Sequence, residues 1–180
     1  MALTYIGKQI KIRRHKLSDA DDIYRNISDK TIYRFTRTIP YPYKKRDAID
    51  FVESTAGLRN KKSAYQFAIA EKITDKVIGG IGLMNFDWKN KNAELGYWIG
   101  KKYRGKGYAP EAINLILKFG FKELKLNRIW AAAFETNISS IKVLKKTNFK
   151  YEGLMRKTVL KLGKWQNQVM YSMLSSEFKP

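Results

Sequence analysis

The chain has 180 residues, of which 44% are hydrophobic and 13% aromatic, and we expect one folded domain over residues 1–180. It contains no cysteine and one histidine, His15, which excludes disulfides, thiolate zinc sites, a cysteine nucleophile and a site built from several histidines. The formal net charge of +20 weakly indicates RNA or the ribosome as a partner. Because the lysines are spread along the chain, a generally lysine-rich composition is the simpler explanation of this charge.

The N-terminal stretch has no targeting pattern. Residues 1–7 lack the basic region and the apolar run of a signal peptide, and no apolar run is long enough to cross a membrane, so we expect a cytoplasmic protein. The alternating residues 9–13 predict a strand. Ser18, with Asp21 three residues later, predicts a helix N-cap and a first helix that ends near Asp29.

Two prolines interrupt the next stretch. Pro40 and Pro42 restrict the residues before them, so residues 36–43 are not expected to form a regular helix. A second helix is predicted at about residues 44–60, where Phe51 and Val52 are placed inward.

Four segments after this helix predict strands. Ala64–Glu71 and residues 76–86 alternate or run apolar, which predicts an antiparallel hairpin. Asn92–Ile99 is the next predicted strand. Arg128–Phe134 is apolar after its first residue and is therefore expected near the centre of a sheet.

The remaining segments predict two helices and a last hairpin. One helix follows residue 109 and has apolar residues at helical spacing, namely Ala112, Leu115, Ile116 and Phe119. Asn137 predicts the N-cap of a short helix that ends near Lys146. Residues 149–160 and Lys164–Leu174 predict a hairpin around Gly163.

The predicted order is β-α-α-β-β-β-α-β-α-β-β. One parallel step lies between two strands of an otherwise antiparallel sheet. The expected fold class is therefore α+β, a single mixed and mostly antiparallel sheet with about four helices.

The loop Arg104-Gly-Lys-Gly-Tyr-Ala109 joins a predicted strand to a predicted helix. Gly105 and Gly107 permit backbone conformations that turn successive N–H groups inward, and the following helix N-terminus adds partial positive charge. Arg104 and Lys106 add full charges. The loop therefore predicts a phosphate-bearing ligand.

Three interpretations of this loop compete. The first is a surface turn in a basic protein. The second is a nucleoside-triphosphate loop, which fits poorly because Gly107 stands where the magnesium-binding hydroxyl belongs. The third is a loop that binds the pyrophosphate of an acyl-CoA and needs no metal.

Several motifs in order favour the third interpretation. Residues 93–99 match A-E-x-G-Y-W-I. Residues 102–107 match Q/R-x-x-G-x-G/A except at the first position, where Lys102 replaces Gln or Arg. Later motifs are N-x-x-S and a G-x-W hairpin with a following tyrosine, formed by Asn137, Ser140, Gly163, Trp165 and Tyr171. The chain thus resembles the GNAT superfamily of acetyltransferases, and within it the branch named for ribosomal-protein N-terminal acetyltransferases.

This resemblance implies a GNAT fold with a splayed central parallel pair and a binding site for acetyl-CoA. The pantetheine arm is expected to pair with the backbone of Trp98, Ile99 and Gly100, and Asn137 is expected to hydrogen-bond the arm. The pyrophosphate is expected on the loop residues Arg104, Gly105, Lys106, Gly107, Tyr108 and Ala109.

The resemblance also implies candidate catalytic residues. Glu94 is the candidate base, directly or through water, with Glu71 as the second choice; the alternative for Glu94 is a strand glutamate paired with a lysine. Ser140 is the candidate acid or sulfur ligand, because Leu144 stands where many members carry a tyrosine. Asn137 and Ser140 also have a simpler explanation as residues that cap a helix.

The expected acceptor is a primary amine. Candidate substrate contacts are Tyr41 and Tyr43, on the loop that lines the acceptor side in the family, and Glu71 on a neighbouring strand. The leading function is acetylation of a protein N-terminal α-amine, such as that of a ribosomal protein, by direct attack in a ternary complex. A polyamine, amino acid or aminoglycoside acceptor stays open, as does a non-enzymatic RNA-binding module. No metal is expected, and the protein is expected to be a monomer or homodimer.

Overall fold

A computed structural model describes residues 4–179, so residues 1–3 of the stretch examined for a targeting signal, together with Pro180, lie outside the described residues. Within this range the chain forms eight strands and five α-helices. The strands are β1 (Thr4–Ile6), β2 (Ile10–Arg13), β3 (Ala64–Glu71), β4 (Val77–Asp87), β5 (Asn92–Ile99), β6 (Arg128–Phe134), β7 (Lys150–Lys161) and β8 (Lys164–Leu174). The helices are α1 (Ala20–Ile27), α2 (Lys30–Phe35), α3 (Lys45–Asn60), α4 (Tyr108–Lys118) and α5 (Ile138–Lys146).

The strands form one sheet in the order β1-β2-β3-β4-β5-β6-β8-β7. The β5–β6 pair is parallel and the other neighbours are antiparallel, which confirms the predicted mixed α+β class. The sequence did not predict β1 or α2. Both are too short for a hydrophobic pattern to repeat often enough to be recognised, so the structure has five α-helices in this range where about four were predicted.

The predicted N-cap at Ser18 is wrong. A short 3₁₀ turn, Leu17–Asp19, precedes α1, and the Asp19 carboxylate accepts a hydrogen bond from the Lys16 N–H at 2.7 Å. Asp19 also accepts two hydrogen bonds from the guanidinium of Arg13. The buried aspartate, rather than the exposed serine, thus fixes the start of the helix.

Hydrophobic side chains cover both faces of the sheet. One face packs on α4 and α5, with Phe67, Ile116 and Leu144 among the buried residues. The other packs on α1 and α3, with Ile23 and Val52 among the buried residues. Burying one such side chain contributes roughly 1.5–3 kcal/mol. The two layers hold the sheet rigidly in the region where β5 and β6 meet.

The parallel pair separates partway along its length. Pairing joins only Asn92–Glu94 of β5 to Arg128–Trp130 of β6. Beyond this point β5 continues to pair with β4 as far as Ile99, and β6 continues to pair with β8 as far as Phe134. A gap therefore opens in the middle of the sheet just after Glu94.

Candidate active site

A cavity of about 580 Å³ occupies the gap between β5 and β6. Side chains alternate along a strand, so Glu94 and Trp98 of β5 point to the α1–α3 face, whereas Tyr97 points to the α4–α5 face. All three residues line the cavity, as does Ser140 from α5. The cavity therefore connects the two faces of the sheet.

Glu94 is buried, with 4% of its surface exposed, on the α1–α3 face. Its carboxylate accepts a hydrogen bond from the guanidinium of Arg37 and another, at 2.6 Å, from the side-chain amide of Asn85. Asn85 has a φ of +50° where the β4–β5 register shifts, and this bulge directs its amide towards Glu94. The sequence prediction missed both partners because they come from a loop and from another strand.

Ser140 and Tyr97 form a hydroxyl pair at the α5 side of the cavity. Their oxygens are 2.9 Å apart, and either hydroxyl can be the donor. Burial raises the pKa of the Tyr97 phenol to about 12, although the contact with Ser140 acts in the opposite direction. The sequence motif included Tyr97 without assigning it a role.

Asn137 caps α5, as predicted. Its side-chain oxygen accepts a hydrogen bond from the Ser140 N–H at 3.2 Å. The amide nitrogen of Asn137 is a separate donor, so capping leaves that group available to a ligand in the cavity, which Asn137 lines.

The glycine loop has the geometry that anion binding requires. Gly105 and Gly107 have φ values of +77° and +83°, in the left-handed region that favours glycine. Gly107 is the N-cap of α4, whose first N–H groups have no partner within the helix. The backbone from Gly105 to Ala109 therefore presents N–H donors at a positive helix end.

The side chain of Arg104 is turned away from this loop, contrary to the expectation that its charge adds to the loop. Its guanidinium donates to Asp29 at 3.0 Å, to the Thr31 hydroxyl at 2.8 Å and to the Ile99 carbonyl at 3.1 Å. Arg104 thus fastens the loop to α2. Lys106, by contrast, has no carboxylate partner among residues 4–179, and its ammonium lies 5.8 Å from the centre of the Tyr103 ring.

The three predicted pantetheine contacts do not face the same way. The Gly100 N–H donates to the Ile78 carbonyl of β4 at 2.9 Å. Because backbone groups alternate in direction along a strand, those of Trp98 also face β4, and those of Ile99 face the gap. The Trp98 ring instead covers Gly80, where a Cβ would lie 2.5 Å from the indole nitrogen, so only glycine fits beneath it.

The predicted acceptor residues separate into two groups. Tyr43 is buried and lines the cavity, and burial raises the pKa of its phenol to about 12. Tyr41 is 47% exposed and stacks on Tyr33 outside the cavity lining, with ring centres 5.2 Å apart. Asp47 and Asp50 of α3 line the acceptor side although the sequence had not singled them out.

Glu71 lies outside the site. Ala64, at the other end of β3, is opposite Met84, and Met84 is opposite Glu94. At about 3.3 Å per residue, the eight-residue strand separates Glu71 from the Glu94 level by more than 20 Å. Its carboxylate instead accepts a hydrogen bond from Thr74 at 2.7 Å. We therefore do not retain Glu71 as a candidate base or substrate contact.

Residues 4–179 contain no cluster of three or more His, Cys, Asp or Glu side chains placed to hold a metal ion. No helix in the same range is long and apolar enough to cross a membrane.

Comparison with known proteins gives consistent matches. A family model described as an acetyltransferase (GNAT) domain matches residues 9–150. The chain is 33% identical over 175 residues to the N-acetyltransferase p20 of Bacillus licheniformis. The aligned region covers 97% of this chain and 98% of that protein. It is 27% identical over 119 residues to the [ribosomal protein uS5]-alanine N-acetyltransferase of Escherichia coli, covering 66% of this chain and 61% of that protein. A solved structure of the ribosomal-protein-S5-alanine acetyltransferase of Vibrio fischeri has the same fold, with a TM-score of 0.86 at 23% identity over 99% of this chain and 100% of that one.

Proposed function

We propose that this chain, which belongs to the GNAT family of acetyltransferases, acetylates the N-terminal α-amine of a protein. It is an acetyltransferase that uses acetyl-CoA as donor and an amine as acceptor. The observation that carries the proposal is the cavity through the sheet, with a carboxylate on one face and hydroxyls on the other. Two substrates that approach from opposite faces meet there, next to Glu94.

The donor binds along the glycine loop and the open edge of β5. Backbone N–H groups from Gly105 to Ala109 hold the pyrophosphate, and Lys106 adds charge. The pantetheine arm follows the gap, where the Ile99 N–H is available and Asn137 offers its amide nitrogen; the Ile99 carbonyl already accepts a hydrogen bond from Arg104. The thioester then lies at the hydroxyl pair of Ser140 and Tyr97.

The acceptor amine binds on the Glu94 face. Glu94 takes a proton from the ammonium, directly or through water, and the free amine attacks the thioester carbonyl carbon. The C–N bond forms, the nitrogen loses its second proton to water on the Glu94 face, and the C–S bond breaks so that CoA leaves as the thiolate from the opposite face. Holding both substrates in one cavity supplies much of the rate acceleration, because attack becomes effectively intramolecular.

The size of the cavity favours a chain end as the acceptor. A volume of about 580 Å³ is typical of small-ligand sites and leaves room for only a short part of a protein beside the pantetheine. A protein N-terminus can enter end-on without unfolding the rest of the acceptor. Similarity to the uS5-alanine enzyme of Escherichia coli supports a ribosomal protein as that acceptor.

A small polycationic amine is the second candidate. Asp47 and Asp50 line the cavity together with Glu94, in a chain with only 16 acidic residues. Glu94 is paired with Arg37 and Asp50 with Arg46, whereas Asp47 has no ion-pair partner among residues 4–179. A carboxylate without a basic partner attracts a cationic amine, including a polyamine.

Matched acceptors separate these candidates. Three kinds of acceptor are assayed with acetyl-CoA. The first is a set of peptides with the N-terminal sequences of ribosomal proteins, the second is the same peptides with a blocked α-amine and a free lysine, and the third is spermidine. The proposal predicts acetylation of the free α-amine and none of the blocked peptides. Acetylation of spermidine but of no peptide would establish the second candidate instead.

A further inference from the structure

We propose that Tyr97 is a positioning residue that holds the Ser140 hydroxyl as a hydrogen-bond donor to the sulfur of departing CoA. The proposal depends on the donor site described above, with the thioester beside Ser140. It does not depend on which amine receives the acetyl group. Both side chains line the cavity, so a sulfur atom placed there can contact Ser140 directly.

The geometry decides which hydroxyl donates. Only one proton can lie between the two oxygens, which are 2.9 Å apart. The other acceptor near the Tyr97 hydroxyl is the Ser140 carbonyl, at 3.5 Å and thus at the limit for a hydrogen bond. The Ser140 oxygen is therefore the better acceptor for Tyr97, and the Ser140 proton is left free to point towards a ligand.

The anchors of the pair make this orientation rigid. Tyr97 is held in β5 by antiparallel pairing of the strand with β4. Ser140 is held in the first turn of α5, where its N–H donates to the Asn137 cap. Two rigid elements from opposite sides of the gap thus place the two hydroxyls, and neither depends on a flexible loop.

The raised pKa makes the Tyr97 phenol a poorer proton donor than an ordinary tyrosine. Burial raises the pKa of the phenol to about 12, whereas a thiol ordinarily has a pKa of about 8.5. Moving a proton from the phenol through Ser140 to the thiolate is therefore unfavourable by more than about a thousandfold. The pair stabilises the anionic sulfur by hydrogen bonding, so of the two roles expected from the resemblance, acid or sulfur ligand, Ser140 serves as the sulfur ligand.

The electron and proton balance is then simple. The C–S bond breaks with its electron pair on sulfur, and the thiolate accepts a hydrogen bond from Ser140, which itself accepts one from Tyr97. No proton leaves either hydroxyl. Two protons leave the acceptor nitrogen on the Glu94 face: one from the ammonium before attack and one from the same nitrogen once the C–N bond has formed, with Glu94 passing the first to water. CoA takes its proton from water after release.

The pKa of the thiol in enzyme-bound CoA tests this proposal without any acceptor. The thiolate absorbance of CoA is titrated on the wild type, Tyr97→Phe, Ser140→Ala and the double variant, with CoA saturation confirmed by calorimetry. A hydrogen bond to the charged form lowers a pKa. We expect the wild type to lower the thiol pKa by about one unit or more, Ser140→Ala to lose most of this effect, and Tyr97→Phe to lose part of it.

The double variant distinguishes positioning from a separate contribution. Because Tyr97 acts through Ser140, the double variant should match Ser140→Ala. Tyr24→Phe, on the exposed surface of α1, is the matched control and should match the wild type. An unchanged thiol pKa in Tyr97→Phe, or additive losses in the double variant, would overturn the proposal.

A second substitution keeps the test valid if Tyr97→Phe does not fold. Fluorotyrosine at position 97 keeps the size of the ring and makes its hydroxyl a stronger donor. The proposal predicts a further decrease in the pKa of the bound thiol. An increase or no change would contradict it. Failure of every peptide in the acceptor assay leaves this titration unaffected, since it uses CoA alone.

Discussion

Arg37 donates a hydrogen bond to the buried carboxylate of Glu94, which ties the loop after α2 to the point where β5 and β6 separate. Asn85 donates to the other carboxylate oxygen. A carboxylate offers about four acceptor positions, so two remain for a substrate ammonium or a water. Glu94 is thus oriented by the protein and still accessible to the acceptor.

Glu94→Gln tests the base. The amide keeps the size of the side chain but cannot take a proton, so kcat should fall by roughly 10²–10⁴ while the KM for acetyl-CoA changes little. Steady-state kinetics with a saturating acceptor give both values. Glu71→Gln is the matched control, because Glu71 lies at the far end of β3, and it should leave the rate unchanged. Equal rates for wild type and Glu94→Gln would remove Glu94 from the mechanism.

Arg37→Met tests whether this contact positions Glu94. The substitution removes one donor from a buried carboxylate, which costs about 1 kcal/mol for a partner as exposed as Arg37. We expect a lower melting temperature and a lower kcat. In a double-mutant cycle, the effect on kcat should disappear when Glu94 is already Gln. Arg34→Met is the control, since Arg34 lies over the Phe35 ring and pairs with no carboxylate among the described residues. Fully additive effects on kcat would contradict the positioning role.

Gly107→Ala tests the loop backbone. A Cβ at Gly107 meets no atom within 4 Å, so the cost comes from the φ of +83° and is roughly 1–2 kcal/mol. Relaxation of this strain should turn loop N–H groups away from the ligand and raise the Kd for acetyl-CoA about tenfold, measured by calorimetry. Gly57→Ala in α3 also meets open space but has no positive φ, and it should bind acetyl-CoA as the wild type does. Wild-type affinity in Gly107→Ala would show that the loop does not hold the donor.

Because His15 is buried, the free energy of unfolding should decrease in mild acid. Both ring nitrogens are buried without a hydrogen-bond partner in the described chain, and burial lowers the pKa from 6.5 to about 4. Between these pH values the unfolded chain binds a proton that the folded protein does not. Stability should therefore fall by about 3 kcal/mol as the pH decreases from about 6.5 to 4, with no further loss from this group below pH 4.

Urea unfolding at several pH values measures this change. His15→Phe removes the titrating group and can still pack against Phe51, which contacts the His15 ring edge-on. Its stability should be much less sensitive between pH 6.5 and 4. The same decrease in wild type and variant would assign the effect to other groups. Glu152, whose pKa is lowered from 4.5 to about 2 by Arg128, contributes from about pH 4.5 downwards and therefore mostly below this window.

The sequence predicted the parts of the site that depend on local pattern. The parallel step at the glycine loop and the mixed sheet are confirmed, because hydrophobic periodicity and glycine punctuation are local properties. Asn137 caps α5 as its residue type indicated. Glu94 lies at the start of the gap because the parallel pairing ends there.

The remaining features depend on tertiary contacts that no local pattern contains. Arg37 reaches Glu94 from a proline-containing loop, and Tyr97 meets Ser140 across 43 positions of sequence. The charge of Arg104 was misassigned because α2, which contains Thr31 and is capped by Asp29, has only six residues, too few for a recognisable hydrophobic pattern.

A crystal structure with a CoA–peptide conjugate would show whether the acetyl group crosses the sheet between β5 and β6, from the Ser140 face to the Glu94 face. We expect the pyrophosphate on the loop from Gly105 to Ala109, the sulfur within hydrogen-bond distance of Ser140, and the peptide nitrogen on the Glu94 side. A conjugate whose peptide leaves along the α5 face, or whose sulfur lies away from the gap, would contradict it.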